Sequence, residues 1–273
     1  MTFPVRSLMF VPGGRPELLD KVSRSRPDVV VADLEDAVAP GDKERARAAI
    51  VEALAERPGA GAVLLRINPP GTPWYADDLA AAATAATQER LDGIVLPKYE
   101  RRSQLAEVRA ALPTGARVVV GLESARGVMD ARMLLEEGPD AAYFGAEDLI
   151  ADLGGRRTPG GTEVLYARSR VCLAAHVAAV PSIDQAVVAV RDTDFFRSDA
   201  AQARDLGYHG KICLHPLQVE AAHAVFTPSA EELAHAREVL AAAEQGVGVV
   251  DGQMVDAAHL AMARGVLARA GAT

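Results

Sequence analysis

The sequence predicts an α/β fold, a (β/α)8 barrel. Short apolar runs alternate with amphipathic helical segments almost from end to end, which is typical of a parallel sheet with helical crossovers. Eight such runs are present, the number of βα units that closes a barrel, and 273 residues is an ordinary length for one. Most runs are continuously apolar, as expected of strands that are covered on both faces.

The predicted strands are residues 7–11, 29–34, 62–67, 93–97, 118–122, 141–145, 179–183 and 211–214. Helix start signals separate them: Pro16 precedes a helix at 17–25, Asp42 one at 43–55, and Ser103 one at 104–112. The seventh strand follows a helical stretch, 171–179, with no glycine to end the helix. Its start is therefore the least defined boundary.

The chain continues beyond the eighth strand into a predicted C-terminal arm. Ser229 and Glu232 have the spacing of a capping box and open a helix that runs to residue 244. A glycine-bearing hairpin at 246–255 and a last helix at 259–270 follow. We expect a barrel domain at 1–225 and an arm at 226–273 that packs on a neighbouring subunit, because one barrel does not need the arm.

Composition excludes several classes of protein. The net charge of −8, from 29 basic and 37 acidic residues, disfavours nucleic acids and anionic membranes as partners. No stretch approaches the ~20 apolar residues of a membrane span, and the first residues lack the apolar core of a signal peptide. We expect a cytoplasmic protein in which Cys172 and Cys213 are reduced core residues.

The residues that follow the predicted strands carry the candidate chemistry, because barrel enzymes react at the carboxyl ends of their strands. Glu123 and Asp148 end neighbouring strands, the fifth and the sixth. Two carboxylates suffice for Mg²⁺, whose remaining ligands are water and substrate oxygens. The sequence therefore predicts a Mg²⁺ site, with Mn²⁺ as a possible substitute.

Two arginines at strand ends are candidate ligands for substrate oxygens. Arg15 follows two glycines and precedes the helix signal at Pro16, which suits an anion or only a tight turn. Arg66 ends the third strand, where its guanidinium either neutralises Glu35 or Asp36 or holds a substrate oxygen. Both roles are compatible, with an acid orienting the arginine.

Alternative chemistries come from other residues of the same rim. Lys98 could form a Schiff base if its pKa were depressed, although surrounding acids would raise it. Cys213 and His215 share a face of the eighth strand and could be a nucleophile and its base, or a core cysteine and a rim histidine. Asp184 has no role that the sequence assigns.

Eight segments together resemble the HpcH/HpaI aldolase/citrate lyase β-subunit family, and most of all its free-standing CitE-like acyl-CoA lyases. They are FVPGGRP at 10–16, DLEDAV at 33–38, LRIN at 65–68, LPK at 96–98, ESARG at 123–127, GAEDL at 145–149, CLHP at 213–216 and GQMVD at 252–256. Each motif is modest, but their joint order along nearly the whole chain is specific.

The resemblance implies a barrel with a C-terminal arm that is exchanged between subunits, commonly in trimers. It implies that Glu123 and Asp148 bind Mg²⁺ and that Arg66 contacts the reacting oxygens. The remaining implied site residues are Glu35 and Asp36 in support of that site, Arg15 and Lys21 at the coenzyme A portion, and Asp256 as a general acid/base in the active site of a neighbouring subunit.

The implied reaction is Mg²⁺-dependent cleavage of a carbon–carbon bond. A 3-hydroxy-3-carboxyacyl-CoA of the malyl-, citramalyl- or citryl-CoA type would give acetyl-CoA and a 2-oxo acid. Two alternatives stay open: a thioesterase or malate-synthase-like enzyme on the same site, and a citrate lyase β-subunit that works only in a complex with an acyl-carrier protein.

Overall fold

The fold was analysed in a computed structural model that describes residues 5–56, 59, 61–244, 249–250 and 253–271. Eight strands form a closed barrel in chain order, and each strand pairs in parallel with the next. The barrel closes through β1 and β8, where Ser7 pairs with Lys211. The predicted (β/α)8 barrel is therefore confirmed.

The strands are β1 (Ser7–Pro12), β2 (Val29–Asp33), β3 (Ala62–Arg66), β4 (Gly93–Leu96), β5 (Arg117–Leu122), β6 (Ala141–Phe144), β7 (Ser182–Asp184) and β8 (Gly210–Cys213). All of them except β7 lie within one residue of their predicted bounds. The prediction that β7 begins at residue 179 was wrong, because the preceding helix ends in a left-handed turn. Ala179 takes φ of 54°, a role usually given to glycine, and the Val180 N–H donates to the Ala175 carbonyl.

Twelve α-helices occur among the described residues: α1 (Leu18–Ser23), α2 (Lys43–Ala53), α3 (Tyr75–Thr87), α4 (Arg102–Ala111), α5 (Ala125–Met129), α6 (Ala131–Leu135), α7 (Ala146–Asp152), α8 (Thr162–Val177), α9 (Thr193–Leu206), α10 (Pro216–Phe226), α11 (Ala230–Glu244) and α12 (Ala257–Gly271).

The prediction that Ser103 opens α4 was wrong. Gln104 accepts hydrogen bonds from the N–H groups of Glu100 and Arg101, so α4 begins at Arg102. No described helix is long and apolar enough to cross a membrane.

Alternation along the strands divides the core into two layers. Leu8, Phe10, Val31, Leu64 and Ile212 point inward and fill the barrel interior. Their neighbours along each strand point outward and pack against the surrounding helices. Because the side-chain period is two, a residue that continues the inward series at the carboxyl end of a strand must face the barrel mouth.

Asp184 belongs to a buried ion-pair network on the outward face of β7, not to the barrel mouth. Arg168 of α8 donates to both of its carboxylate oxygens, at 2.8 and 2.7 Å, and Lys211 of β8 pairs with it as well. Lys211 also reaches Asp199 of α9 at 2.5 Å. The network joins two strands to two helices, which gives Asp184 a structural role that the sequence did not assign.

The C-terminal arm is a helical hairpin with a small core of its own. The predicted capping box is confirmed, with Ser229 and Glu232 exchanging hydrogen bonds of 2.8 and 3.1 Å. Helices α11 and α12 pack together through Ala236, Val239 and Ala263. Two short antiparallel strands, β9 (Val249–Val250) and β10 (Gln253–Met254), join them.

Within the predicted hairpin, residues 246–248 and 251–252 lie outside the described residues. Glu232 of α11 forms an ion pair of 3.2 Å with Arg204 at the end of α9, so the arm begins beside the amino-terminal end of the barrel. The division into 1–225 and 226–273 and the exchange of the arm between subunits stay predictions.

The network of Asp184 gives a stability prediction. Lys211→Met should lower the free energy of unfolding by about 3–5 kcal/mol, because Asp184 and Asp199 would keep their burial and lose a cation. Urea unfolding measures the change. Arg45→Met, which breaks an exposed ion pair with Asp42, is the matched control and should cost less than about 1 kcal/mol. Equal losses in the two variants would contradict the assignment.

Candidate active site

A cavity of about 400 Å³ opens at the carboxyl end of the barrel. One side comes from strands β2 to β6 and their following loops and carries the polar side chains Asp33, Asp36, Arg66, Glu123, Tyr143, Glu147 and Asp148. The other side comes from β7, β8 and β1 and is apolar, with Phe10, Pro12, Ala186, Val188, Ile212 and Leu214. The cavity therefore has a charged half and an uncharged half.

Arg66 lies at the centre of the charged half and is held by three carboxylates. Its Nε and Nη2 atoms each donate to Asp33 at 2.7 Å, a bidentate pair. Its Nη1 atom lies 2.9 Å from Glu35 and 3.4 Å from Asp36. The sequence predicted Glu35 or Asp36 as the partner, and the structure adds Asp33 as the principal one.

Glu123 is buried and positioned through both carboxylate oxygens. Its Oε1 atom accepts from the Lys98 backbone N–H at 2.7 Å, and its Oε2 atom accepts from the Tyr143 hydroxyl at 2.9 Å. Burial, together with the nearby carboxylates Glu35 and Asp148, raises the pKa of Glu123 to about 8. The carboxylate is therefore placed where a cation would stabilise its charged form.

Two glycines make room for this arrangement. A Cβ atom on Gly121 would lie 2.3 Å from the Tyr143 hydroxyl oxygen, and one on Gly145 would lie 2.6 Å from Glu123 Oε2. Both distances are too short for non-bonded atoms. The glycine of the segment at 145–149 is therefore required by the packing of Glu123.

Lys98 bridges two of the site's carboxylates. Its Nζ atom lies 3.1 Å from Glu35 and 3.2 Å from Asp148. Partial burial lowers the pKa of Lys98, but the two carboxylates outweigh burial and raise it above the ordinary value. The amine is therefore protonated, which argues against the Schiff-base alternative.

Glu35 lies beside both Arg66 and Lys98. It is buried, and burial raises its pKa to about 7, with Arg66 opposing the shift and Asp36 adding to it. Its oxygens lie within ion-pair distance of Arg66 and Lys98, yet neither makes a well-aligned hydrogen bond. Asp36, by contrast, is half exposed and lines the cavity.

The charge balance of the site fits a divalent cation. Four carboxylates pair with Arg66 or Lys98, and Glu123 is the fifth carboxylate of the cluster. Lys43 is a third cation beside them and donates to the Leu34 and Glu35 carbonyls, so the carboxylates outnumber the cations by two. Of the described carboxylates that line the cavity, three have no ion pair to Arg66, namely Glu123, Glu147 and Asp148, and Glu147 is paired with Arg157 at 3.3 Å. Glu123 and Asp148 are therefore the residues that could hold a metal ion. The described His, Cys, Asp and Glu side chains form no group of three that could hold a metal ion. Mg²⁺ can be held by one or two carboxylates, with water and substrate oxygens as its other ligands.

The coenzyme A candidates lie outside the cavity. Arg15 is exposed in the turn after β1, at the same end of the barrel, and pairs with Glu17 at 3.2 Å. Lys21 is exposed on α1. Helix α1 begins at Leu18, later than residue 17 that the sequence predicted, and the turn at Pro16 precedes it. Both side chains are exposed to solvent.

Asp256 lies in the arm, far along the chain from the cavity walls. It is exposed and caps α12, with its Oδ1 atom accepting from the N–H groups of Ala258 at 2.9 Å and His259 at 3.2 Å. Hydrogen bonds from the His259 side chain and backbone lower the pKa of Asp256. None of the described residues that line the cavity belongs to the arm of the same chain.

The cysteine nucleophile alternative is wrong. Cys213 points outward from β8 into the layer between strands and helices, while Ile212 and Leu214 face the cavity. Burial raises the pKa of the Cys213 thiol well above its usual value. His215 caps α10, where its Nδ1 atom accepts from the Leu217 N–H at 3.2 Å. The other interpretation, a core cysteine and a rim histidine, is correct.

Asp33 and Tyr143 are site residues that the sequence analysis did not single out. The signal was available, because each continues an inward series of alternate residues: Val29 and Val31 lead to Asp33, and Ala141 leads to Tyr143. The position of a polar residue on an apolar strand, counted by twos, would have found both.

The fold and this site define a barrel enzyme with a carboxylate-rich mouth. The chain belongs to the HpcH/HpaI aldolase/citrate lyase family, which it matches over residues 6–216. It is 45% identical over 280 residues to a citrate lyase subunit beta-like protein of Deinococcus radiodurans, with 96% of each chain covered. It is 34% identical to a (3S)-malyl-CoA thioesterase of Cereibacter sphaeroides, over 98% of this chain and 95% of the relative.

A solved structure gives the same picture. The crystal structure of CitE from Mycobacterium tuberculosis, in complex with magnesium, acetoacetate and coenzyme A, has a TM-score of 0.84 and 33% identity, with 98% of both chains covered. These similarities confirm the family identified from the sequence and the class of enzyme, a lyase of the HpcH/HpaI aldolase family.

The environment of Lys98 gives a direct chemical prediction. Because the amine stays protonated between Glu35 and Asp148, treatment with pyruvate and borohydride should leave Lys98 unmodified. Peptide mass spectrometry after digestion reads the result. The exposed Lys21 serves as the internal comparison for non-specific reaction, and an adduct on Lys98 well above that background would restore the Schiff-base mechanism.

Proposed function

We propose that this chain is a Mg²⁺-dependent lyase that cleaves a 3-hydroxy-3-carboxyacyl-CoA into acetyl-CoA and a 2-oxo acid. The observation that carries the proposal is the sharing of one cavity mouth by Arg66, the carboxylate pair of Glu123 and Asp148, and an uncharged wall. The relative of known structure binds magnesium, coenzyme A and a small oxo acid. A malyl-, citramalyl- or citryl-CoA substrate has the oxygens that this charged half would bind.

Glu123 and Asp148 are the proposed Mg²⁺ ligands, with Mn²⁺ as a substitute. When bound, the ion would polarise the hydroxyl and carboxylate oxygens on the substrate's hydroxyl carbon as a Lewis acid. Tyr143 and the Lys98 backbone fix the orientation of Glu123, and the Lys98 amine neutralises Asp148 from the side. The two ligands are thus positioned before any ion arrives.

Arg66 is proposed to stabilise the negative charge that develops on the reacting oxygens. Asp33 occupies the fork formed by its Nε and Nη2 atoms, so the guanidinium cannot rotate away from the cavity. The hydroxyl proton would pass to Asp36, which is half exposed beside Nη1. The bond between the hydroxyl carbon and the acetyl carbon would then break, and its electron pair would move onto the thioester as an enolate.

Asp256 of a neighbouring copy is proposed to protonate the enolate carbon. In its own chain this residue is exposed and outside the cavity, so a catalytic role requires a second subunit whose site the arm reaches. A homotrimer or another homo-oligomer would provide it. Arg15, exposed in the turn after β1, and Lys21, exposed on α1, would contact the coenzyme A phosphates.

Thioester hydrolysis is the second candidate function. The similarity to a (3S)-malyl-CoA thioesterase over nearly the whole chain favours it. The same charged half would bind the same acyl-CoA, and water would attack the thioester carbonyl. Free coenzyme A without a 2-oxo acid marks hydrolysis, whereas acetyl-CoA with a 2-oxo acid marks cleavage.

The metal proposal predicts a large loss of turnover in Glu123→Gln. The change removes a charged ligand with little change in shape, and the loss of several kcal/mol of Lewis-acid stabilisation should slow cleavage by about a thousandfold. Steady-state formation of acetyl-CoA measures it, and excess EDTA should have the same effect on the wild type. Glu136→Gln on the protein surface is the control, and full activity in EDTA would refute the proposal.

The shared-site proposal predicts complementation between two inactive variants. Asp256→Ala and Glu123→Ala should each lack activity, whereas mixed oligomers should regain part of it, because some sites combine an intact metal pair with an intact Asp256. Cleavage of acyl-CoA after unfolding and refolding the mixture measures the recovery. Asp256→Ala that loses only about 1 kcal/mol of stability and keeps full turnover would show that the residue is a helix cap and nothing more.

A further inference from the structure

Lys43 carries a buried positive charge behind the active site. It is the first residue of α2 and is 6% exposed, and it is not among the described residues that line the cavity. Its Nζ atom donates to the Leu34 carbonyl at 2.8 Å, to the Glu35 carbonyl at 2.7 Å and to Asn68 Oδ1 at 2.7 Å. Three acceptors match the three N–H donors of an ammonium group, so the charged form of the side chain fits this place.

The position of this cation is unfavourable for the helix that carries it. The first turn of a helix has unpaired N–H groups and a partial positive charge, which favour acidic residues over lysine. The Lys43 side chain reaches instead into the β2–α2 turn, residues 34–42, and its Nζ atom lies 5.2 Å from the centroid of the Trp74 ring. The contacts of the ammonium group therefore serve the turn and not α2.

Two side chains of opposite charge hold the β2–α2 turn. Asp33, which lines the cavity, accepts from the Glu35 N–H at 2.8 Å and from the Ala37 N–H at 3.3 Å. Lys43 binds the Leu34 and Glu35 carbonyls from outside the cavity. The backbone of the turn is therefore fixed through its N–H groups by an anion and through its carbonyls by a cation.

A buried network fixes Lys43 in turn. Asn68, which accepts from Lys43, donates through Nδ2 to the Leu34 carbonyl at 3.0 Å and to Asp78 at 2.6 Å. Asp78 of α3 is 1% exposed and pairs with Arg47 of α2 at 3.0 Å. Asp78 and Asn68 thus lie between Arg47 and the turn, whereas Lys43 contacts the turn directly.

The place of Glu35 depends on this backbone more than on its own side-chain contacts. Its carboxylate lies 2.9 Å from Arg66 and 3.1 Å from Lys98, but it makes no well-aligned hydrogen bond to a described residue. Asp36, the next residue of the turn, lies 3.4 Å from Arg66. A shift of the turn would therefore move both carboxylates relative to the guanidinium group.

We propose that Lys43 is a positioning residue of the active site: its ammonium group holds the β2–α2 turn and thereby places the Glu35 and Asp36 carboxylates. The inference rests on the proposed function for the loss of rate that it expects, and on the contacts of the turn for the local change. A purely structural role, in which Lys43 only holds α2 against the barrel, would lower stability. It would leave the turn and the turnover per folded molecule unchanged.

Steady-state kinetics of Lys43→Met test the role in the reaction, with Mg²⁺ and whichever of malyl-, citramalyl- or citryl-CoA the wild type turns over best. We expect kcat to fall about ten- to a hundredfold, because small displacements of reacting groups cost rates of this size. KM should change less than about threefold, since the proposed metal ligands and coenzyme A contacts lie on other elements. Arg47→Met, which removes a cation from the same network without touching the turn, is the matched control and should keep kcat within about threefold.

Hydrogen exchange tests the turn in the absence of substrate. Mass spectrometry of the peptide that contains residues 34–38 should show exchange that is about tenfold faster, or more, in Lys43→Met. The same peptide in Arg47→Met should exchange as in the wild type. If the wild type turns over none of the three acyl-CoA probes, the proposed function is refuted, and this measurement then decides the inference alone.

A folded Lys43→Met protein with wild-type kcat and wild-type exchange at residues 34–38 would overturn the inference. An equal fall of kcat in Arg47→Met would also overturn it, because the stability of the network would then be the cause. If Lys43→Met does not fold, Lys43→Gln replaces it. The glutamine side chain is one atom shorter and has two donors for three acceptors, so kcat should fall about threefold or more and exchange should rise. Wild-type values of both would overturn the inference.

Discussion

The bidentate pair of Arg66 and Asp33 is the interaction on which the rest of the site depends. It crosses from β3 to β2 inside the barrel mouth and holds the guanidinium toward the cavity. Glu35 extends the pair to Lys98, and Lys98 in turn reaches Asp148. A single connected network of opposite charges therefore positions residues from four strand ends, and a charge lost at one point would leave its partners buried and unpaired.

Packing supports this network as much as charge does. Gly121 leaves the space that the Tyr143 ring fills, and Gly145 leaves the space beside Glu123. Tyr143 then holds Glu123 by a hydrogen bond at 2.9 Å. The carboxylates outnumber the cationic side chains, and burial together with Glu35 and Asp148 raises the pKa of Glu123 to about 8. A cation bound beside Glu123 would favour its charged form and lower that pKa.

The barrel separates two kinds of charge by the alternation of its strands. In β7 and β8 the charged residues, Asp184 and Lys211, face outward and join the sheet to the helices. In β2 and β3 the charged residues, Asp33 and Arg66, face inward and form the site. Charged residues that face outward join the sheet to the helices, and charged residues that face the mouth are available to a substrate. Because successive side chains of a strand point to opposite faces, moving a charged residue by one position along the strand would move it from one of these groups to the other.

The sequence by itself determined the barrel, the strand ends that carry Arg66, Glu123 and Asp148, and the capping box of the arm. These features depend on periodicity and on neighbours a few residues away, which the chain carries locally. Tertiary structure decided that Asp33 is the principal partner of Arg66, that Lys98 bridges two carboxylates, and that one half of the cavity is uncharged. Each of these depends on the register of strands that lie 25 or more residues apart, and closure of the barrel fixes that register.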